Sequence, residues 1–112
     1  MQKMSACEEK VMLVIWQANK LLSYKEIQTG VNERFGDSWK PETVCSFIDR
    51  LRKKTYIVPV KEGRYTYCQA TMNFNEYRKE QLEEFVNKLY QGDKSKLMND
   101  LSEWDNNRKK YR

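Results

Sequence analysis

The sequence predicts a mostly α-helical fold with one small β element, and three observations predict it. Two Ser-x-x-Glu signatures and a Lys-Pro step mark helix starts at Ser5, Ser23 and Lys40. The hydrophobic period then switches from helical to alternating over residues 56–68, with Glu62-Gly63 between two runs of β-formers. Beyond about Asn75 the helical period returns for two further segments.

The first helix is predicted from about Ala6 to about Ala18. Ser5 and Glu8 form a capping box, in which hydroxyl and carboxylate each satisfy a backbone N–H that the first turn leaves unpaired. Val11, Met12, Val14, Ile15 and Trp16 supply a broad apolar face, and Asn19-Lys20 breaks the pattern. Ser23 and Glu26 repeat the device and open a second helix, with Ile27 and Val31 inward and Phe35 near its end. Gly36-Asp37-Ser38 terminates it. A third helix opens at Pro41, whose missing N–H costs nothing in a first turn. Val44, Phe47, Ile48 and Leu51 form its inward stripe, while Arg50, Arg52, Lys53 and Lys54 suit the negative end of its dipole.

Tyr56-Ile57-Val58-Pro59-Val60-Lys61, the Glu62-Gly63 turn and Arg64-Tyr65-Thr66-Tyr67-Cys68 together read as a β-hairpin. Pro59 has no N–H to donate, so its strand belongs at an edge or pairs irregularly there. A fourth helix is expected from about Asn75 to Tyr90, with Tyr77, Leu82, Phe85, Val86, Leu89 and Tyr90 as its apolar members, and Gly92 ends it. A last helix carries Leu97, Met98, Leu101 and Trp104. The basic stretch from Asn106 to Arg112 is expected to fray. Trp16 and Trp39 are read as core residues.

Three helices followed by a two-stranded wing define a winged helix-turn-helix. With 112 residues the chain has room for one such core plus an oligomerisation element. The division expected is residues 1–72 as a winged-helix DNA-binding domain and 73–112 as a helical dimerisation region. Helices four and five are too apolar to stand alone in water, and a second subunit is the simplest thing to bury them.

Charge points the same way. The chain carries 21 Lys+Arg against 16 Asp+Glu, a net charge of +5, which favours a polyanionic partner. Residues 1–72 hold 12 basic and 8 acidic side chains, whereas 73–112 hold 9 and 8, so the excess lies in the first two thirds. Cys7, Cys45 and Cys68 form no Cys-x-x-Cys pair and read as reduced thiols. No apolar run approaches a membrane span, and the first residues lack the long apolar stretch of a signal peptide. A cytoplasmic protein with no membrane partner is expected.

Several stretches carry a family resemblance. Met4-Ser5-Ala6-Cys7-Glu8-Glu9-Lys10-Val11-Met12 through Trp16 resembles the opening of the BlaI/MecI-type penicillinase repressor family. Trp39-Lys40-Pro41-Glu42-Thr43-Val44, with Arg50-Leu51 and Lys53-Lys54, resembles that family's recognition helix. Glu62-Gly63-Arg64-Tyr65-Thr66-Tyr67 resembles its wing, and Glu76-Tyr77, Glu80, Phe85, Tyr90 and Gly92 resemble the start of its dimerisation region. The resemblance implies a homodimer on a roughly palindromic operator of double-stranded DNA, repressing genes often concerned with β-lactam resistance or metal handling. It also implies a sensor or protease as a further partner.

On that basis the third helix enters the major groove with its N-terminal half toward base edges. Thr43, Cys45, Ser46, Asp49, Arg50 and Lys53 are the candidate DNA-binding residues on it, and Lys61, Arg64 and Tyr65 those on the wing. Thr43 and Ser46 can bond to bases or meet a thymine methyl, and Arg50 can grip guanine or a phosphate. Lys53, Lys61 and Arg64 suit phosphates, which position a protein without reading sequence. For each there is a plainer role: solvated charge and dipole compensation for the cations, helix-start support for Thr43, a small neutral side chain rather than a redox switch for Cys45. The candidate dimerisation residues are Tyr77, Leu82, Phe85, Leu89, Tyr90, Leu97, Leu101 and Trp104.

Departures from the family pattern are specific. Lys40 stands where many relatives have a capping serine, so Ser38 is the expected substitute cap. Cys45 and Asp49 stand where relatives often carry basic or polar residues. Members inactivated by cleavage at an Asn-Phe bond in the dimerisation helices have it where this chain reads Asp100-Leu101; Asn73-Phe74 lies outside that register. The cysteine-rich C-terminus of the copper-responsive branch is absent. Catalysis is not expected: there is no His, no Gly-rich phosphate loop, and no Ser or Cys beside a plausible base. Scattered Cys without His argue against a metal, and no cofactor is expected. A protein-binding adaptor is the competing reading, since winged helices also serve as interaction modules.

Overall fold

The computed structural model describes residues 2–110, with the side chains of 108–110 left aside. In chain order the elements are α1 (Ala6–Gln17), β1 (Leu22–Ser23), α2 (Tyr24–Phe35), α3 (Pro41–Lys53), β2 (Ile57–Glu62), β3 (Tyr65–Ala70), α4 (Phe74–Tyr90) and α5 (Lys94–Lys110). They divide into two compact units, Met1–Asn73 and Phe74–Arg112. The fold class is mostly helical with a small antiparallel sheet, a winged helix-turn-helix followed by two helices.

Both predicted capping boxes are present. The Ser5 N–H donates to Glu8 Oε1 at 2.7 Å and the Glu8 N–H to Ser5 Oγ at 3.2 Å. The Ser23 N–H donates to Glu26 Oε1 at 3.0 Å and the Glu26 N–H to Ser23 Oγ at 3.2 Å. Gly36 closes α2 in the left-handed region, φ 71°, where a residue without Cβ fits at no steric cost. Val11, Met12, Ile15, Ile27, Val31, Val44, Ile48 and Leu51 pack the three helices into one core with Leu22, Ile57 and Cys68 from the sheet and Tyr56 from the turn before β2.

The sheet has three strands, not the two of a simple wing. Its order is β1-β3-β2, with Leu22 opposite Cys68 and Ser23 opposite Tyr67. A two-residue strand has no periodicity to read. It forms because the chain between α1 and α2 passes beside β3 and places Leu22 in the core. β2 lies at the other edge, which is where Pro59 is tolerated. Arg64 is not a strand residue, as the hairpin reading had it. Glu62 pairs with Tyr65, so Gly63 and Arg64 form a two-residue loop with Gly63 at φ 64°, the preference of tight hairpins with glycine first.

Two helix ends also differ from expectation. Lys40 is the N-cap of α3 and no side chain caps it, so Ser38 does not play that part. The entry to α3 is fixed instead through Trp39, whose N–H donates to Asn32 Oδ1 (2.8 Å) and whose C=O accepts from Gln28 Nε2 (2.9 Å) and Asn32 Nδ2 (3.1 Å). At the other end of the chain, α5 continues through residues 106–110 where fraying was expected. The remainder of the expected frayed tail, residues 111–112, lies outside the described residues.

The exit from α3 is tight. The Thr55 N–H donates to Arg52 C=O (3.0 Å) and the Tyr56 N–H to Leu51 C=O (2.9 Å), the paired bonds of a Schellman ending. That motif puts Thr55 at φ 67°, a costly conformation for a β-branched residue.

Beneath this exit lies an ion pair. Glu8 is only 1% exposed, and its Oε1 accepts from Lys54 Nζ at 2.7 Å as well as from Ser5. Lys54 Nζ also donates to Lys3 C=O at 2.9 Å. Burial pushes the Glu8 carboxyl up, but the Lys54 ammonium and the Ser5 donors outweigh it and leave the group below its ordinary range. The start of α1 is thereby pinned to the end of α3.

Candidate nucleic-acid interface

Helical geometry sorts α3 into an inner and an outer side. Val44, Ile48 and Leu51 are buried. Glu42, Ser46, Asp49 and Lys53 run along the centre of the exposed side, with Cys45 and Arg52 to one flank and Arg50 to the other; Thr43 is half-buried. Phe47 is not a full core residue as the stripe implied. It is half-buried at the border, with its ring 4.9 Å from that of Trp39 and the Arg50 guanidinium 5.3 Å from its centroid.

The cations on this unit differ in what they are free to do. Lys53 Nζ lies 3.1 Å from Asp49 Oδ2, an i, i+4 pair exposed on both sides, so the two candidates partly neutralise each other. Lys10 pairs with Asp37 at 2.8 Å, Lys20 with Glu26 at 2.6 Å, and Lys54 with buried Glu8. Lys54 therefore faces the core rather than a ligand. Among the described residues no carboxylate pairs with Arg50, Lys61 or Arg64.

Arg52, read from sequence only as dipole compensation, sits beside β3 and the start of α2. Burial, only partly opposed by Arg52, raises the Cys68 thiol to about 11. Burial also raises the Tyr24 hydroxyl, with Cys68 adding to the effect and Arg52 opposing it. Cys68 is thus a protonated, inert core thiol, whereas Cys45 is exposed on α3.

On the wing, Lys61 is exposed on β2 opposite Thr66, Arg64 occupies the loop at the tip, and Tyr65 is exposed opposite Glu62. Tyr67 pairs inward, between Val60 on one side and Ser23 on the other. The Trp16 Nε1–H donates to Met72 C=O at 2.8 Å, so that ring is a structural anchor within the first unit.

In the second unit Leu82, Phe85, Leu89, Met98, Leu101 and Trp104 are 43–63% exposed. Leu97 and Tyr90 are half-buried, and the Tyr90 hydroxyl donates to Asp100 Oδ2 at 2.7 Å, tying α4 to α5. Tyr77 differs from the rest of the set because it is already buried in the single chain, as is Val86. No cluster of three or more His, Cys, Asp or Glu suited to a metal occurs among the described residues. No helix among them is long and apolar enough to cross a membrane.

Three packed helices, a basic and polar outer side on the third, and a hairpin with a cation at its tip define the winged-helix class of DNA-binding regulators. More narrowly, the chain belongs to the penicillinase repressor family: the family model of that description matches residues 4–110. The methicillin resistance regulatory protein MecI of Staphylococcus aureus (strain N315) is 25% identical over 95 residues, covering 80% of this chain and 71% of MecI. The Staphylococcus epidermidis protein of the same name matches equally. Among solved structures, the solution structure of monomeric Bacillus licheniformis BlaI in complex with the blaP half-operator superposes with a TM-score of 0.56. It shares 26% identity, covering 68% of this chain and 89% of the chain in that structure. The family is one of transcriptional regulators, not enzymes.

Proposed function

We propose that the protein is a sequence-specific DNA-binding repressor acting as a homodimer on a palindromic operator. The outer side of α3 carries the proposal, together with the likeness to a BlaI structure in complex with its half-operator. In this reading α3 lies in the major groove. Thr43, Cys45 and Ser46 meet base edges, Arg50 makes a bidentate contact with guanine, and Asp49 accepts from cytosine while Lys53 turns to a phosphate. Lys61, Arg64 and Tyr65 hold the wing on the backbone. Residues 1–72 bind DNA, and residues 73–112 dimerise through Leu82, Phe85, Leu89, Leu97, Leu101 and Trp104, which matches two protein half-sites to two operator half-sites. β-Lactam resistance or related stress genes are the proposed targets, and the cytoplasm the place of action.

Binding titrations across salt concentration test the reading. Arg64→Ala should weaken binding to all duplexes and flatten the salt slope by about one unit; an unchanged slope takes the wing out of the interface. Phe85→Asp should give monomers by light scattering, and a persistent dimer sinks the C-terminal interface. Failure to enrich any fragment from genomic DNA favours the adaptor instead.

A further inference from the structure

Arg50 differs from Lys53, which shares the exposed side of α3. Lys53 is held by Asp49, whereas Arg50 has no carboxylate partner and lies over an aromatic ring. That ring does not stand alone. Phe47 is tilted 32° against Trp39, and Trp39 is clamped at both its N–H and C=O by Asn32 and Gln28 of α2. A line of support therefore runs from the α2 backbone through Asn32 and Gln28 to Trp39, then Phe47, then the guanidinium. Cation–π contact engages the flat face of a guanidinium and leaves its in-plane N–H edge free. That edge is what a bidentate contact to guanine uses.

We propose that Phe47 is a positioning residue for sequence recognition: backed by the clamped Trp39, its ring holds the Arg50 guanidinium oriented on the outer side of α3 before DNA arrives. The inference rests on the DNA-binding reading and adds what selects the base. A pre-oriented guanidinium loses less rotamer freedom on binding, and the gain falls on the one geometry the ring permits. Phosphate contacts, which tolerate many geometries, gain little.

The test uses the full-length protein and a duplex recovered by selecting random-sequence double-stranded DNA on the wild type. Phe47→Leu keeps an apolar side chain at the border but removes the ring. It should lower affinity for the selected duplex by about two- to fivefold, leaving affinity for an unselected duplex and the salt slope unchanged. Phe47→Tyr should restore the wild-type value. In an Arg50→Ala background, Phe47→Leu should have no further effect. In the free protein, the Arg50 Nε–Hε resonance should carry a ring-current shift in wild type and Phe47→Tyr that Phe47→Leu loses. If Arg50→Ala weakens the selected duplex but Phe47→Leu does not, the positioning role is overturned and the DNA-binding reading stands. Equal losses on selected and unselected duplexes make Phe47 merely structural and also overturn it. If selection recovers no duplex, both readings fall.

Discussion

Replacing Lys54 with methionine keeps the aliphatic stem at the end of α3 and removes the ammonium that faces Glu8. The carboxylate then stays almost wholly buried, with Ser5 as its remaining donor and an Oε2 that already lacks a hydrogen bond. Breaking one partner of a buried pair costs about 3–5 kcal/mol. Lys54 retains 23% side-chain exposure, so water offsets part of this and about 2–4 kcal/mol is the expected loss. For a unit of this size each kcal/mol lowers the Tm by about 4–8 °C, so the drop should be on the order of 10–30 °C. The pH dependence gives the sharper test. In the wild type the Glu8 carboxyl is lowered from 4.5, so its contribution is present above that value and is lost as pH falls through the folded pKa. Without Lys54 the folded pKa rises, and protonation relieves the variant at a higher pH. The Tm gap should be full at pH 7 and shrink toward pH 4 in circular-dichroism melts. A gap under about 1 kcal/mol at pH 7, or one that does not change with pH, refutes the buried-pair argument.

Thr55→Gly should stabilise. Relief of a left-handed β-branched residue is worth about 1–2 kcal/mol, against about 0.5–1 for the extra chain entropy of glycine; denaturant midpoints should rise, and a fall contradicts the strain. Gly30→Ala should destabilise by about 1–2 kcal/mol despite the better helix former, because the new Cβ would meet Val14 Cγ1 at 2.6 Å. Adding Val14→Ala should recover the part of that loss due to the clash, and urea titration of the double variant shows whether it does.

What could be read in advance was local. Ser5/Glu8, Ser23/Glu26, Gly36, Pro41 and the Val44-Ile48-Leu51 stripe act within a few residues, so their spacing carries their structure. What escaped was non-local or orientational. Glu8 read as a capping residue, and nothing in its neighbourhood announces Lys54 at the far end of α3. β1 is too short for alternation and exists only through its pairing with β3. Phe47 satisfies the apolar period of α3, yet its surroundings depend on where Asn32 and Gln28 hold Trp39. Asp49 and Lys53 were both legible as surface residues; that they bind each other is one of several rotamer choices open to that spacing. The outer side of α3 was legible because the inner side was.

Ser23 belongs to two elements at once. It is the last residue of β1, opposite Tyr67, and the N-cap whose hydroxyl closes the first turn of α2. There is no slack between sheet and helix at this point. A slip of β3 by one residue would turn Cys68 out of the core and break the pairing that holds Ser23 where it caps α2. Strand register and helix nucleation are therefore a single cooperative event here, because the costly first turn of α2 is stabilised by the same residue that reads the sheet's alignment. A force that lifts the hairpin reaches the first turn of α2 through the pairing of β1 with β3, so wing and helix are mechanically linked.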